Sequence, residues 1–403
     1  MKTHLLLACL LAAMPVAAEV RYNPDSTDGQ NIGRAVPYAV YFYTAAPEIS
    51  VRCTGGDPVT LYRIDSCGQR MECAANVTGT DTLEYRYTGF PADSFHNLGA
   101  EYRIYMPDAG RADNVEIAVP DGNEVTFISR SPERPFAVSA DPATAITLQK
   151  EFDIRFDNSG APVAAYIDVA GMTVDEACEK TRDILRIPAG ELRTQIPVTQ
   201  RREPANYEWQ QRHCDIVGNI SAAKPKAVII GNSIVHYWGG VPGCWSVNGA
   251  ESWSQYMEAA GFFNLGCGWD RIENMLWRIC HGELDGFSTG RIVLLAGTNN
   301  MGLDSDTDIA EGVRSLIQAI RIRQTGAEIT VAGILPRRDG EEWTRNVNGC
   351  LARIAVEEDC GFIDPGKLLL DADGKIDESL FKDGLHPNEQ GYMLIAPEIS
   401  GAQ

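Results

Sequence analysis

Positive charge is scarce in this chain of 403 residues: 35 Lys and Arg stand against 55 Asp and Glu, for a formal net charge of −20. A nucleic-acid surface needs clustered Lys and Arg to meet the phosphates, so that class of partner is excluded. Attraction to an anionic membrane is excluded with it. Long apolar runs are also missing, since no internal stretch reaches the roughly 18–20 apolar residues that span a bilayer. There is no Gly-rich phosphate loop, no dinucleotide fingerprint, no CxxC pair and no His cluster, so the sequence implies no cofactor and no metal. What remains is ordinary globular material. With 44% hydrophobic and 22% charged residues the chain is neither disordered, collagenous nor repetitive, and its length suits two or three domains.

The first 18 residues, MKTHLLLACLLAAMPVAA, read as a secretory signal peptide. Lys2 and His4 give a polar head, 5–13 an apolar core, and Val16-Ala17-Ala18 a small-residue cleavage site. A buried N-terminal helix is the competing reading. The expectation is a secreted or periplasmic protein, in which disulfides are permitted. The ten cysteines beyond Cys9 form no framework from which pairing follows. Cys67 and Cys73 flank Gly68 and suit a small closed loop, and most of the others are expected as small buried hydrophobes.

Residues 19–130 lack helical periodicity. Short alternating runs at 38–43, 60–64, 85–87, 102–106 and 115–119 are separated by Gly, Pro, Asp and Asn, which predicts an antiparallel β-sandwich or jelly-roll domain. Residues 131–205 read as a small α/β segment, with strands at 163–169 and 194–199 around a helix at 174–185. From 206 to 403 the pattern is regular. Strands at 227–230, 262–265, 292–296, 329–335 and 362–363 alternate with helices, one striped by Ile272, Met275, Leu276 and Ile279, another by Ile309, Val313, Leu316, Ile317 and Ile320. That alternation predicts a flavodoxin-like, three-layer α/β fold with a parallel sheet, whose site lies at the carboxyl ends of the strands.

Three segments fall there. Gly231-Asn232-Ser233 follows the first strand, and Ser233 stands where a helix N-terminus favours negative charge. It reads as a nucleophile or, more blandly, as an N-cap. Gly297-Thr298-Asn299-Asn300 follows the third, where an Asn amide suits a developing oxyanion and an Asx-turn is the alternative. Asp383-Gly384-Leu385-His386 precedes the last helix. His is rare here, six in all, and an Asp three residues ahead is placed to accept the Nδ1–H and leave Nε2 for a hydroxyl. Together these supply nucleophile, oxyanion donor, orienting acid and base. Of the other histidines, His236 points along its helix rather than at the hydroxyl, and His213 and His281 read as surface or interface residues. Tyr237, Trp238, Trp245, Trp253 and Trp269 suit either sugar stacking or packing.

These blocks resemble the SGNH (GDSL-type) hydrolases, more closely the platelet-activating-factor acetylhydrolase catalytic-subunit branch. The matching segments are GNSIVHYW (231–238), NLGCGWDRIENMLWRICHGEL (264–284), LLAGTNN (294–300), ILPR (334–337) and DGLHP (383–387). The resemblance implies Ser233 as nucleophile, Asp383 and His386 as the completing pair, and Asn299 as side-chain oxyanion donor. The family's Asp before the Ser is Asn232 here. The family's second oxyanion glycine falls on Trp269, whose backbone N–H survives the substitution, and Gly268 just before it is implied as a further oxyanion-hole residue; the indole implies a crowded acyl pocket and a small acyl group such as acetyl. Residues 19–130 resemble the β-rich domain ahead of some bacterial SGNH hydrolases, and 131–205 a degenerate remnant of such a core. The implied function is a secreted serine esterase acting on short acyl esters, such as O-acetylated carbohydrate, with a small-molecule or glycan substrate and no transmembrane segment. The alternative is a non-catalytic glycan-binding protein that keeps an SGNH shell.

Overall fold

The structure, a computed structural model, describes residues 19–22, 29–30, 38–46, 48–54, 60–65, 70–73, 76–77, 82–88, 99–106, 115–127 and 135–402, without 159, 161, 204 and 205. The expected signal peptide and Cys67 lie outside these residues.

The C-terminal half is built on five parallel strands: β1 (Ala227–Gly231), β2 (Phe262–Gly266), β3 (Arg291–Leu295), β4 (Glu328–Ala332) and β5 (Gly361–Ile363). Their spatial order is 2-1-3-4-5, the flavodoxin-like order, which reverses direction at β1. β1 and β2 are wholly buried and β3 is buried after its first residue, and alternation divides the strands between two cores. Val228, Ile230, Ile292 and Leu294 face a cluster that includes Ile216, Met275, Leu316 and Leu351. Ala227, Ile229, Val293 and Leu295 face the other way, onto Trp253, Met257, Ile395 and Ile399. Helices Trp209–Ala223, Ile272–Arg278, Asp306–Arg323 and Glu341–Glu357 cover one face and helix Glu389–Ser400 the other. The expected α/β fold with a helix-flanked parallel sheet is therefore present. Ser305 caps helix Asp306–Arg323 by accepting from the Asp308 N–H at 3.1 Å, as its sequence suggests.

Between 135 and 200 the chain forms a parallel pair, Ala137–Ser139 with Tyr166–Asp168, joined through helix Pro142–Phe152. Helix Val174–Leu185 opens on a Thr173/Glu176 capping box. Phe136, Leu148, Phe152, Ile167 and Leu185 belong to the same apolar cluster as the first face of the large sheet. The strand expected at 194–199 is replaced by a 3-10 turn, Arg193–Gln195. The residues after it bond a helix instead of a sheet: Val198 N–H donates to Glu273 O at 3.2 Å, and Asn274 Nδ2 donates to Val198 O at 2.9 Å.

Ahead of this lie two antiparallel sheets. One runs Glu19–Tyr22, Val115–Pro120, Glu48–Thr54, Thr82–Thr88, Asn76–Val77, and the other Thr126–Phe127, Tyr38–Thr44, Ala100–Met106, Thr60–Asp65, Arg70–Cys73. Val40, Phe42, Tyr102 and Ile104 of one share a cluster with Ile49, Val51, Ile117 and Val119 of the other. The opposite face of the second sheet, with Tyr41, Tyr62, Ile64 and Tyr105, packs on Val198. There Arg103, 1% exposed, is paired with Asp153 and with Glu101 (2.8 Å) and donates to Thr199 Oγ1 at 3.2 Å. Cutting one partner from such a buried pair costs about 3–5 kcal/mol, so the contact fixes the sheet to the segment near 199.

Candidate active site

Gly231 ends β1, and a Cβ there would lie 2.4 Å from Val235 Cγ2 and 2.9 Å from Leu295 O, so the turn requires glycine. Asn232 caps the short helix Ser233–His236, its Oδ1 accepting the Ile234 N–H at 2.9 Å. The turn needs a side-chain oxygen at this position, and asparagine supplies it as well as aspartate does. Ser233 is buried beneath the opening, 4% exposed.

The loop before the last helix reaches it. His386 Nε2 lies 2.8 Å from Ser233 Oγ, and His386 Nδ1 lies 2.7 Å from Asp383 Oδ2. Asp383 Oδ1 also accepts the N–H groups of Leu385 (3.0 Å) and His386 (2.8 Å). Burial works to raise the Asp383 pKa, but the hydrogen bonds from the His386 ring and main chain, the His386 charge and the Leu385 N–H together hold it far below the usual carboxylate range. The ionised carboxylate fixes the proton on Nδ1, so Nε2 of the neutral ring is an acceptor for the Ser233 hydroxyl. Three residues spread over 150 positions of sequence thus converge.

β3 ends at Leu295 and turns through Gly297, at φ +118°, into the 3-10 turn Thr298–Asn300. The two asparagines divide the work. Asn300 is fully buried, accepts the Ile272 N–H (3.2 Å) and donates to Glu273 Oε2 (3.1 Å) and Asp304 Oδ2 (2.9 Å), so it ties the loop down. Asn299 is partly exposed, and its amide donates one hydrogen to Asp270 O at 3.0 Å.

After β2 the chain runs Cys267-Gly268-Trp269-Asp270. Gly268 does not offer its N–H to a substrate oxygen as expected, because that N–H donates to His236 Nδ1 at 3.0 Å. His236 is 2% exposed. Burial first, and then the charges of Arg212 and Arg278, push its pKa down to about 2, so the ring is neutral with its proton on Nε2. Trp269 takes φ +62°, a left-handed conformation normally left to glycine. Asp270 is buried, with Oδ1 accepting from Trp209 Nε1 (2.6 Å) and Gln200 Nε2 (3.2 Å) and Oδ2 from Arg278 Nε (2.7 Å).

Beside these groups lies a cavity of about 50 Å³ lined by Trp269, Asn299, Leu385 and three arginines, Arg202, Arg271 and Arg337. The Tyr237 ring sits 5.3 Å from that of His386 and 5.6 Å from that of Trp245, which is 56% exposed. Trp238 and Trp253, by contrast, are core residues.

Other expectations need correction. His213 is not on the surface: it is 2% exposed and 2.9 Å from Glu283, which also pairs with Arg278. His281 is half-buried against Trp277, their rings 3.8 Å apart. Cys178, Cys214, Cys244, Cys350 and Cys360 are only partly buried, and among the described residues Cys267 and Cys280 are the buried thiols. Sequence reasoning missed the roles of His236, Gln200 and Tyr207, which no motif announces. Among the described residues no cluster of three or more His, Cys, Asp or Glu could hold a metal ion, and no helix is long and apolar enough to cross a membrane.

Residues 229–394 match the model of the GDSL-like Lipase/Acylhydrolase family. The chain is 28% identical over 192 residues to the platelet-activating factor acetylhydrolase IB subunit alpha1 of Homo sapiens, covering 46% of this chain and 79% of that protein. It is 27% identical over 216 residues to subunit alpha2 of Bos taurus, covering 51% and 87%. Among solved structures, a GDSL-like lipase from Bacteroides thetaiotaomicron VPI-5482 aligns with 17% identity over 46% of this chain and 94% of that one, at a TM-score of 0.36.

Proposed function

Since residues 229–394 belong to the GDSL-like lipase/acylhydrolase family and the chain is a carboxylic ester hydrolase, we propose that it removes short acyl groups, acetyl above all, from a carbohydrate by a Ser-His-Asp mechanism. His386 Nε2 takes the Ser233 proton, and Ser233 Oγ attacks the ester carbonyl. The Ser233 and Trp269 N–H groups and the Asn299 amide hold the tetrahedral oxyanion. The alcohol leaves with the proton carried by His386, and water repeats the cycle to release the acid. The observation that carries this reading is the pair of hydrogen bonds at 2.8 and 2.7 Å linking Ser233, His386 and Asp383.

A short acyl group is supported by the cavity of about 50 Å³ beside Trp269 and Asn299, which has room for roughly three or four water-sized groups. The relatives are acetylhydrolases by name. A sugar is favoured by exposed Trp245, held edge-on to Tyr237, whose ring lies 5.3 Å from that of His386, because an indole face stacks on a pyranose ring. Residues 1–18 direct export to a secreted or periplasmic location. Residues 19–130 form a β-sandwich domain, and 131–205 join it to the catalytic domain at 206–403.

The test is covalent labelling with a fluorophosphonate probe, together with a panel of p-nitrophenyl esters and acetylated glycans. Labelling of the wild type, its loss in Ser233→Ala, and a preference for acetate are expected. A folded wild-type protein that neither labels nor turns over any ester would leave the glycan-binding reading in place of the enzyme.

A further inference from the structure

The family match begins at residue 229, yet the main chain that bears the second oxyanion donor is held by residues upstream of it. Gly268 O accepts from Tyr207 Oη at 2.5 Å and from Gln200 Nε2 at 2.9 Å. Trp269 O, one residue on, accepts from Arg202 Nη1 at 3.2 Å, and the same Nη1 bonds Asn274 Oδ1 at 2.9 Å. Burial keeps the Tyr207 hydroxyl protonated by pushing its pKa well up, so it is a donor to Gly268 O at any working pH. In a trans peptide the C=O and N–H point in opposite directions. Fixing Gly268 O on Tyr207 and Gln200 therefore turns the Trp269 N–H away from that segment. The same contacts hold Trp269 at its left-handed φ of +62°, which a non-glycine residue does not keep without support.

We propose that Gln200, Arg202 and Tyr207 form a carbonyl clamp that positions the Trp269 N–H as an oxyanion donor, so that these three residues are a working part of the esterase site. They are positioning residues, since they touch no reacting atom. Two hydrogen bonds into Gly268 O also polarise that peptide and strengthen its N–H as a donor. The segment is itself anchored. Val198 packs under the N-terminal sheet, Thr199 N–H bonds Asp153 Oδ2 at 3.2 Å, and Thr199 Oγ1 receives Arg103 from that sheet. The N-terminal sheets thereby gain a part in catalysis without reaching the substrate.

The inference rests on the esterase reading, and the experiment separates the two. Full-length wild type, Ser233→Ala, Tyr207→Phe and the double variant Gln200→Met/Tyr207→Phe are assayed on p-nitrophenyl acetate, with active sites titrated by the fluorophosphonate. Inhibition by a phenylboronic acid, which forms a tetrahedral adduct on the serine, is measured in parallel. The double variant is expected to lose about 10- to 100-fold in kcat with KM nearly unchanged. Boronate affinity should fall in proportion to kcat/KM, and Tyr207→Phe, which removes one oxygen, should show a smaller loss of the same kind. A purely structural role would lower the thermal midpoint and the titratable fraction but leave kcat per titrated site and boronate affinity intact, and that outcome overturns the clamp. An inactive wild type, or an active Ser233→Ala, overturns the esterase reading itself.

Discussion

His236 gives the sharpest quantitative prediction, because its environment fixes both its charge and its partner. The ring is buried against Arg212 and Arg278 and accepts the Gly268 N–H. Its pKa is held at about 2 in the folded protein and returns to about 6.5 when the chain unfolds. The folded value lies below the unfolded one, so between these limits the unfolded chain binds the extra proton and acid favours unfolding. Stability is retained above pH 6.5 and lost as pH falls below it. Between pH 7.5 and pH 5.0 the loss from this one residue is about 2 kcal/mol. That figure depends on the unfolded value and hardly at all on the folded one, provided the latter stays below about 4. His236→Asn places an amide oxygen near the Nδ1 position and removes the titration. Urea unfolding of both proteins at the two pH values is the assay. The variant is expected to start less stable, since the ring leaves a cavity, and to lose about 2 kcal/mol less than wild type on acidification. An equal acid loss in the two proteins would refute the argument that His236 is neutral and buried in the fold.

Two further outcomes are expected. Asn299→Ala should lower kcat on p-nitrophenyl acetate by about 10²- to 10³-fold with little change in KM, the usual cost of one oxyanion donor; a change below threefold would remove Asn299 from the hole. Trp269→Gly and Trp269→Ala should both raise kcat/KM for butyrate relative to acetate by opening the cavity, and Trp269→Gly should be the more stable of the two by about 1 kcal/mol, because only alanine pays the left-handed penalty. Equal unfolding midpoints would show that φ at 269 relaxes once the indole is gone.

Most of the large sheet was legible because each strand is a short apolar run between turn residues, and each helix carries a stripe at helical spacing. Ser233, Asn299, Asp383 and His386 were legible for a related reason: each sits just past a strand or just before a helix, where the chain order alone brings it to one edge. The antiparallel part was harder. Strand Glu48–Thr54 is not signalled by the sequence, since it is short and interrupted by polar Ser50 and Arg52; among the described side chains Ile49 and Val51 face the core. Residues 194–199 read as a strand because they are half apolar and rich in β-branched residues, yet they begin in a 3-10 turn and no neighbouring strand takes their hydrogen bonds. Glu273 and Asn274 take them instead, a partnership between distant segments that no local pattern encodes.

The oxyanion loop shows where that limit matters for function. From sequence, the oxyanion N–H falls on Trp269, with Gly268 just before it as a further member of the hole. The fold takes Gly268 out of that role. Gly268 sits where an added Cβ would meet Tyr207 at 3.2 Å and Tyr237 at 3.3 Å, so glycine is there for close packing and its N–H is committed to His236. Trp269 adopts the glycine-like φ while the Gly268 carbonyl and its own accept from Gln200, Tyr207 and Arg202. A bulky side chain at such a position is tolerated only where the surrounding contacts exceed the cost of roughly 1–2 kcal/mol for the left-handed state. Those contacts come from residues that precede the recognisable domain. The bulk of the indole, which lines the neighbouring cavity, and the contacts that hold its backbone are therefore coupled, and a change that loosens one should be read in the other.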